Sequence, residues 1–213
     1  MARDGGSSVA STVDGSPDRS WRGAPRLLLR GPGGVVRVLA VVSVVVALTA
    51  RGPVDAALFA LVLAGLVVPP AARVGPALDA AYGAGLLAAA WAGALDLYEA
   101  VSWLDLVMHL VVTGLIAAVA HLALARWTGA VADPGATTGA DGAARRVGVV
   151  AVTTALGLAL SVWWEVGEYL GHTYADSSIH VAYRDTVGDM VLGGIGSTAA
   201  GVALVVTAAR RAR

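Results

Sequence analysis

The sequence predicts an all-α helical bundle that crosses a membrane six times, with both termini on the cytoplasmic side. Three observations predict it. Hydrophobic residues make up 57% of the 213-residue chain and charged residues only 14%, well below the roughly 25% charge of soluble domains, and the mean hydropathy is +0.72. The apolar residues gather into six runs, each near the ~20 residues that a helix needs to span a hydrocarbon core. The fifteen basic residues, all arginine, are shared very unequally between alternate connections.

Residues 1–34 are rich in Gly, Ser, Pro, Asp and Arg without apolar periodicity, and are expected to form a disordered cytoplasmic tail. The tail is long for the basic region of a signal peptide, and Leu48 stands where a cleavage site wants a small residue, so the first apolar run is expected to remain as a helix. That run is 35–50, with Arg37 expected to snorkel from its inner end. The second, 54–72, is closed by Pro69 and Pro70, and the third, 77–95, leads to Asp96, Tyr98 and Glu99. The fourth, 103–125, contains Asp105 and His109. A polar stretch from Thr128 to Ala144 separates it from the fifth, 147–170, and the sixth is 186–209, followed by a cytoplasmic C-terminus at 210–213.

Alternating connections give thirteen arginines on one side and only Arg51 and Arg184 on the other. Cytoplasmic loops carry the excess of Lys and Arg, which places the N-terminus, Arg73, Arg126, Arg145, Arg146 and the C-terminus inside. Asp96, Glu99, Asp105, His109, Glu165, Glu168, His172, Asp185 and Asp189 then all fall at the outer side. The absence of lysine beside abundant Ala, Val and Gly reads as the coding bias of a GC-rich genome, and localisation is expected in a bacterial inner membrane. With no cysteine, disulfides, thiolate metal sites and cysteine nucleophiles are excluded. The tail arginines are read as topology determinants, and nucleic acid is not expected as a partner. No internal repeat is visible, and Gly193, Gly194, Gly196 and Gly201 suggest close helix packing.

Three spacings carry the chemistry. Asp105 and His109 are one turn apart, Glu165, Glu168 and His172 share a stripe if the fifth helix passes Gly171, and Asp185 and Asp189 are one turn apart where the sixth begins. An Asp at mid-membrane costs about 2.5–3.5 kcal/mol, and less near the interface. Five carboxylates gathered at one depth need a bound cation or shared protons. Asp, Glu and His ligands without Cys suit Zn²⁺, Mn²⁺ or Fe²⁺, and carboxylates alone accept Ca²⁺ or Mg²⁺. The reading that follows assigns Asp105, His109, Glu168, Asp185 and Asp189 as ligands of a divalent metal and Glu165 as general base or its supporting partner. The metal-bound water would attack a lipid-linked or envelope substrate.

Plainer readings stand beside it. Asp185 fits an N-terminal helix cap, Asp96 and Glu99 a solvated loop, His172 and His180 an exposed loop, and His121 an interfacial position. Trp103, Trp163, Trp164, Tyr169, Tyr174 and Tyr183 form an aromatic belt. Two further functions compete: a proton- or cation-coupled transporter, for which Thr113, Ser197, Thr198 and His121 offer a thin inward path, and a non-catalytic scaffold.

Asp105, His109 and Gly114, then Trp164, Glu165 and Glu168, then Tyr183, Asp185, Thr186, Asp189 and Met190 with Gly194 and Gly196, resemble the YjdF-like family of bacterial inner-membrane proteins. More distantly they resemble VanZ-like membrane proteins. The resemblance covers about Trp103 to Gly201 and implies a multi-pass membrane protein with a polar site, without naming a reaction. Where relatives carry a polar residue one turn after the second Asp, this chain has Gly193, so one ligand of that pattern is absent.

Overall fold

The computed structural model describes residues 28–29, 31–136, 141–179 and 181–213. Most of the expected cytoplasmic tail, together with His180, lies outside the described residues. The described chain is all-helical, with eight α-helices and no strand: α1 (Gly31–Ala50), α2 (Pro53–Gly65), α3 (Val68–Ala71), α4 (Pro76–Ala94), α5 (Leu97–Ala100), α6 (Leu104–Thr128), α7 (Gly142–Tyr174) and α8 (Tyr183–Arg211). Five stretches among the described residues are long and apolar enough to cross a membrane: α1, α2 with α3, α6, α7 and α8. Helix α4 has 19 residues, but Pro76, Asp79, Tyr82 and its glycines dilute its apolar character.

The helices form two groups. Helices α1, α2 and α4 pack on one another, as do α6, α7 and α8, and the groups meet where α4 lies against α6. Phe59, Leu66, Tyr82 and several alanines of the first group, joined by Val119 of α6, make its apolar core. Phe59 and Trp91 pack with tilted rings 4.9 Å apart.

The second apolar segment is interrupted because Pro69 and Pro70 have no N–H to give to the carbonyls four residues back. Those carbonyls belong to Gly65 and Leu66, and side chains take them. The Tyr82 hydroxyl donates to Gly65 (3.3 Å) and Arg37 Nε to Leu66 (2.8 Å). Arg37 is therefore buried, 6% exposed, and its guanidinium also pairs with Asp79 of α4 at 2.5 Å. This corrects the expectation that Arg37 snorkels to the interface. A desolvated guanidinium keeps its charge by finding an anion and carbonyls inside the bundle.

Two further expectations change. His121 is fully buried rather than interfacial. Its Nε2 donates to the Ala132 carbonyl (3.0 Å), and its Nδ1 lies 3.1 Å from the Thr153 hydroxyl, so it ties α6 to α7 and to the 129–136 connection. Asp185 is not the cap of α8. Ala182 holds that position, without a side-chain hydrogen bond, and Asp185 lies inside the first turn, where its charge still favours the positive end of the helix.

Helices α6, α7 and α8 meet along rows spaced by four residues, the rows by which helices interdigitate. Asp105, His109, Thr113, Ala117 and His121 form the row on α6. Thr153, Gly157, Ser161 and Glu165 form it on α7, and Asp185, Asp189, Gly193, Ser197 and Gly201 on α8. The rows meet layer by layer. Gly193 faces Thr113 and Ser161, Gly157 faces Ser197 and Ala117, and Gly201 faces Thr153. At Gly114 and Gly196 the backbones of α6 and α8 touch, since a Cβ on Gly114 would stand 2.7 Å from the Gly196 carbonyl oxygen and one on Gly196 would overlap the Leu110 carbonyl.

Candidate functional site

The three rows converge at one end of the bundle on an acidic well. Asp105 of α6 stands at its mouth with 28% of its side chain exposed, and His109, one turn deeper, is 10% exposed. Asp189 of α8 closes the bottom at 2%. His109 Nε2 is 3.6 Å from Asp105 Oδ1. One ligand atom each from Asp105, His109 and Asp189 lie within 4.8 Å of one another, a spacing that can hold a metal ion. A divalent ion at their centre would meet each atom at about 2.0–2.2 Å after a small contraction.

Glu165, Glu168 and Asp185 surround this triplet without joining it. Glu165 interacts electrostatically with His109, Asp105 and Asp185, and Glu168 with Glu165, Asp105 and Asp189. Asp189 in turn interacts with Asp105, Asp185 and Glu165. The five carboxylates and His109 thus occupy one neighbourhood. Its electrostatics lack compensation in two places, because Asp189 Oδ1 and Glu165 Oε1 are buried without a hydrogen-bond partner.

His172, on the same stripe as Glu165 and Glu168, serves another purpose. Helix α7 does pass Gly171, and His172 Nδ1 donates to the Ile179 carbonyl at 2.7 Å, fastening the connection between α7 and α8 to the helix end. In that connection Asp176 accepts from the Ser178 amide (2.9 Å) and hydroxyl (2.7 Å), which hold its carboxyl below the usual carboxylate range. Asp96 and Glu99 are exposed.

Two contributors escaped the sequence reading. Tyr98 donates to the Ala89 carbonyl at 3.0 Å. Burial, then the nearby Asp105 and Glu168 carboxylates, push its phenol above the ordinary range, so it stays a donor. Ser161, one turn below Glu165, is 2% exposed, and its hydroxyl has no hydrogen-bond partner. An uncharged residue in an apolar run gives little signal, and its spacing of four from Glu165 was the available clue.

Trp103, Trp163, Trp164, Tyr169, Tyr174 and Tyr183 are all exposed around this end, as aromatic side chains at a membrane interface are. A family model described as "Predicted membrane protein (DUF2238)" matches residues 33–211. No curated protein and no solved structure matches the chain.

Proposed function

The chain belongs to this family of predicted membrane proteins, and from that premise we propose that its well is the metal site of a membrane enzyme. In this reading α4 also crosses the bilayer, giving six spans with both termini in the cytoplasm of a bacterial inner membrane. Residues 1–34 form a cytoplasmic tail and 210–213 a cytoplasmic end. The well then opens to the outer face at headgroup depth, where a lipid-linked or cell-envelope substrate presents its polar part. The thirteen-to-two arginine asymmetry supports this orientation, and the string from Tyr183 to Met190 supports kinship with YjdF-like proteins.

One observation carries the proposal: Asp105, His109 and the buried Asp189 place ligand atoms within 4.8 Å in a setting with excess negative charge. Imidazole with carboxylates suits Zn²⁺, Mn²⁺ or Fe²⁺, and such an ion supplies a nucleophilic water at neutral pH. Asp105, His109 and Asp189 are its ligands. Glu168 and Asp185 complete or flank the set, and Glu165 would take a proton from the water. The test is metal content by mass spectrometry on detergent-purified protein, comparing the parent with Asp189→Asn and His109→Ala. Stoichiometric metal in the parent and its loss from variants that still unfold cooperatively is the expected result. Equal metal in all three overturns the assignment.

A second reading is favoured by one feature. Ser161 and Thr153 add buried hydroxyls to the inward path of Thr113, Ser197 and His121, the path that a proton- or cation-coupled transporter would use. Against it, the layer of Ala117, Gly157 and Ser197 is closely packed. Proton or cation flux in proteoliposomes that disappears in Ser197→Ala would favour transport over hydrolysis. A scaffold role predicts instead that neutralising the well lowers thermal stability and nothing else.

A further inference from the structure

We propose that the well holds a second cation, deeper than the first and between α7 and α8, bound by the Ser161 hydroxyl and the Asp189 carboxylate. Glu165 accepts a hydrogen bond from water on that ion. The inference rests on the reading of Asp105, His109 and Asp189 as a metal site and extends it to a two-cation centre.

Three buried side-chain atoms among the described residues have no hydrogen-bond partner: Ser161 Oγ, Glu165 Oε1 and Asp189 Oδ1. They are not scattered. Ser161 is one turn below Glu165 on α7, and Gly193, which faces Ser161, is one turn below Asp189 on α8. An unsatisfied buried polar group costs about 1–3 kcal/mol, so three in one place point to a bound species that satisfies them together.

Ser161 supplies the independent evidence. Eight other helical hydroxyls, those of Ser43, Thr49, Thr128, Thr153, Thr154, Thr173, Ser197 and Thr198, donate to the carbonyl four residues earlier. Ser161 has the Gly157 carbonyl in the same relation and leaves it unused. Its oxygen is instead 3.2 Å from where a Cβ on Gly193 would sit. Gly193 itself puts no side chain between the Ser161 oxygen and the turn that carries Asp189, and Thr113 is the neighbour that packs beside it there.

Charge and ligand type agree. The five carboxylates gathered here are more acid than one divalent ion can offset, and a second ion takes the place of shared protons on the remainder. Hydroxyl, carboxylate and water are all oxygen donors, which suits Mg²⁺ or Mn²⁺, ions that bind through one or two carboxylates and keep several waters. The outer position, with its imidazole, suits a softer ion. Asp189 is then the shared carboxylate of a pair whose ions stand about 3.5–4 Å apart, the separation that clamps both oxygens of a displacement reaction.

The test uses the full chain, purified in detergent, stripped of metal and reloaded with Mn²⁺, with bound ions counted and their electron paramagnetic resonance recorded. Two ions per chain with a spin-coupled signal are expected in the parent. Ser161→Ala, still unfolding cooperatively, should bind the inner ion at least ~10-fold more weakly and show the signal of an isolated Mn²⁺. One ion in the parent, lost in His109→Ala and indifferent to Ser161→Ala, overturns the second cation alone. Two coupled ions that persist unchanged in Ser161→Ala overturn the assignment of Ser161. No ion in the parent overturns both the second cation and the metal site on which it rests.

Discussion

Gly194 and Gly196 stand two residues apart on α8 and answer to different constraints. A Cβ on Gly194 would meet the Leu158 side chain at 2.9 Å, whereas one on Gly196 would run into the backbone carbonyl of Leu110. A leucine side chain can rotate away, but a carbonyl inside α6 cannot. Gly196→Ala is therefore expected to cost about 1–3 kcal/mol through overpacking and to push α6 from α8. Gly194→Ala should be near neutral, because the strain on Leu158 is offset by the ~0.5–1 kcal/mol that Ala gains over Gly in a helix. Thermal unfolding of the two variants in one detergent checks the contrast, and equal losses would refute it. The distance from Asp189 on α8 to Asp105 and His109 on α6 rides on the same contact, so Gly196→Ala should also weaken metal binding.

Pairs of elements show what the sequence could and could not reveal. Arg37 fastens α1 to the broken end of α2 and to Asp79 of α4. Arg37→Leu strands the Asp79 charge inside the bundle and should cost about 3–5 kcal/mol, while the Arg37→Leu/Asp79→Leu double variant should recover most of that loss. Chemical unfolding of the three proteins measures it, and no recovery in the double variant would show that the pair is not the source. This bridge was not legible in advance, because its partners are 42 residues apart and nothing local marks them as neighbours. The same limit hid the burial of His121, whose partners Thr153 and Ala132 lie on other segments. Asp105 with His109 and Asp185 with Asp189 were legible because one helical turn joins each pair. That the two pairs meet was inferable from depth alone, since a common end of the bundle leaves three adjacent helices little choice. Ser161 was invisible for want of charge.

At the scale of the molecule, two three-helix groups joined through α4 and α6 make the standing of α4 decisive for topology. The chain has no cysteine, so single substitutions report position cleanly. In intact cells a membrane-impermeant thiol reagent is expected to label Asp96→Cys and Ala175→Cys, and to reach Gly75→Cys and Arg145→Cys only after permeabilisation. Equal labelling of Gly75→Cys and Asp96→Cys in intact cells would mean that α4 does not cross, and the six-span arrangement would fail. The layered rows of α6, α7 and α8 bear on how the protein is made. Helix α8 is synthesised after α6 and α7 and carries Asp185 and Asp189 toward the membrane, an expensive passenger for lipid on its own. Its stable insertion depends on α6 and α7 waiting nearby with their half of the polar row uncovered. A chain that stops before Tyr183 leaves His109, Ser161 and Thr153 without the helix that packs over them, three polar side chains turned toward hydrocarbon.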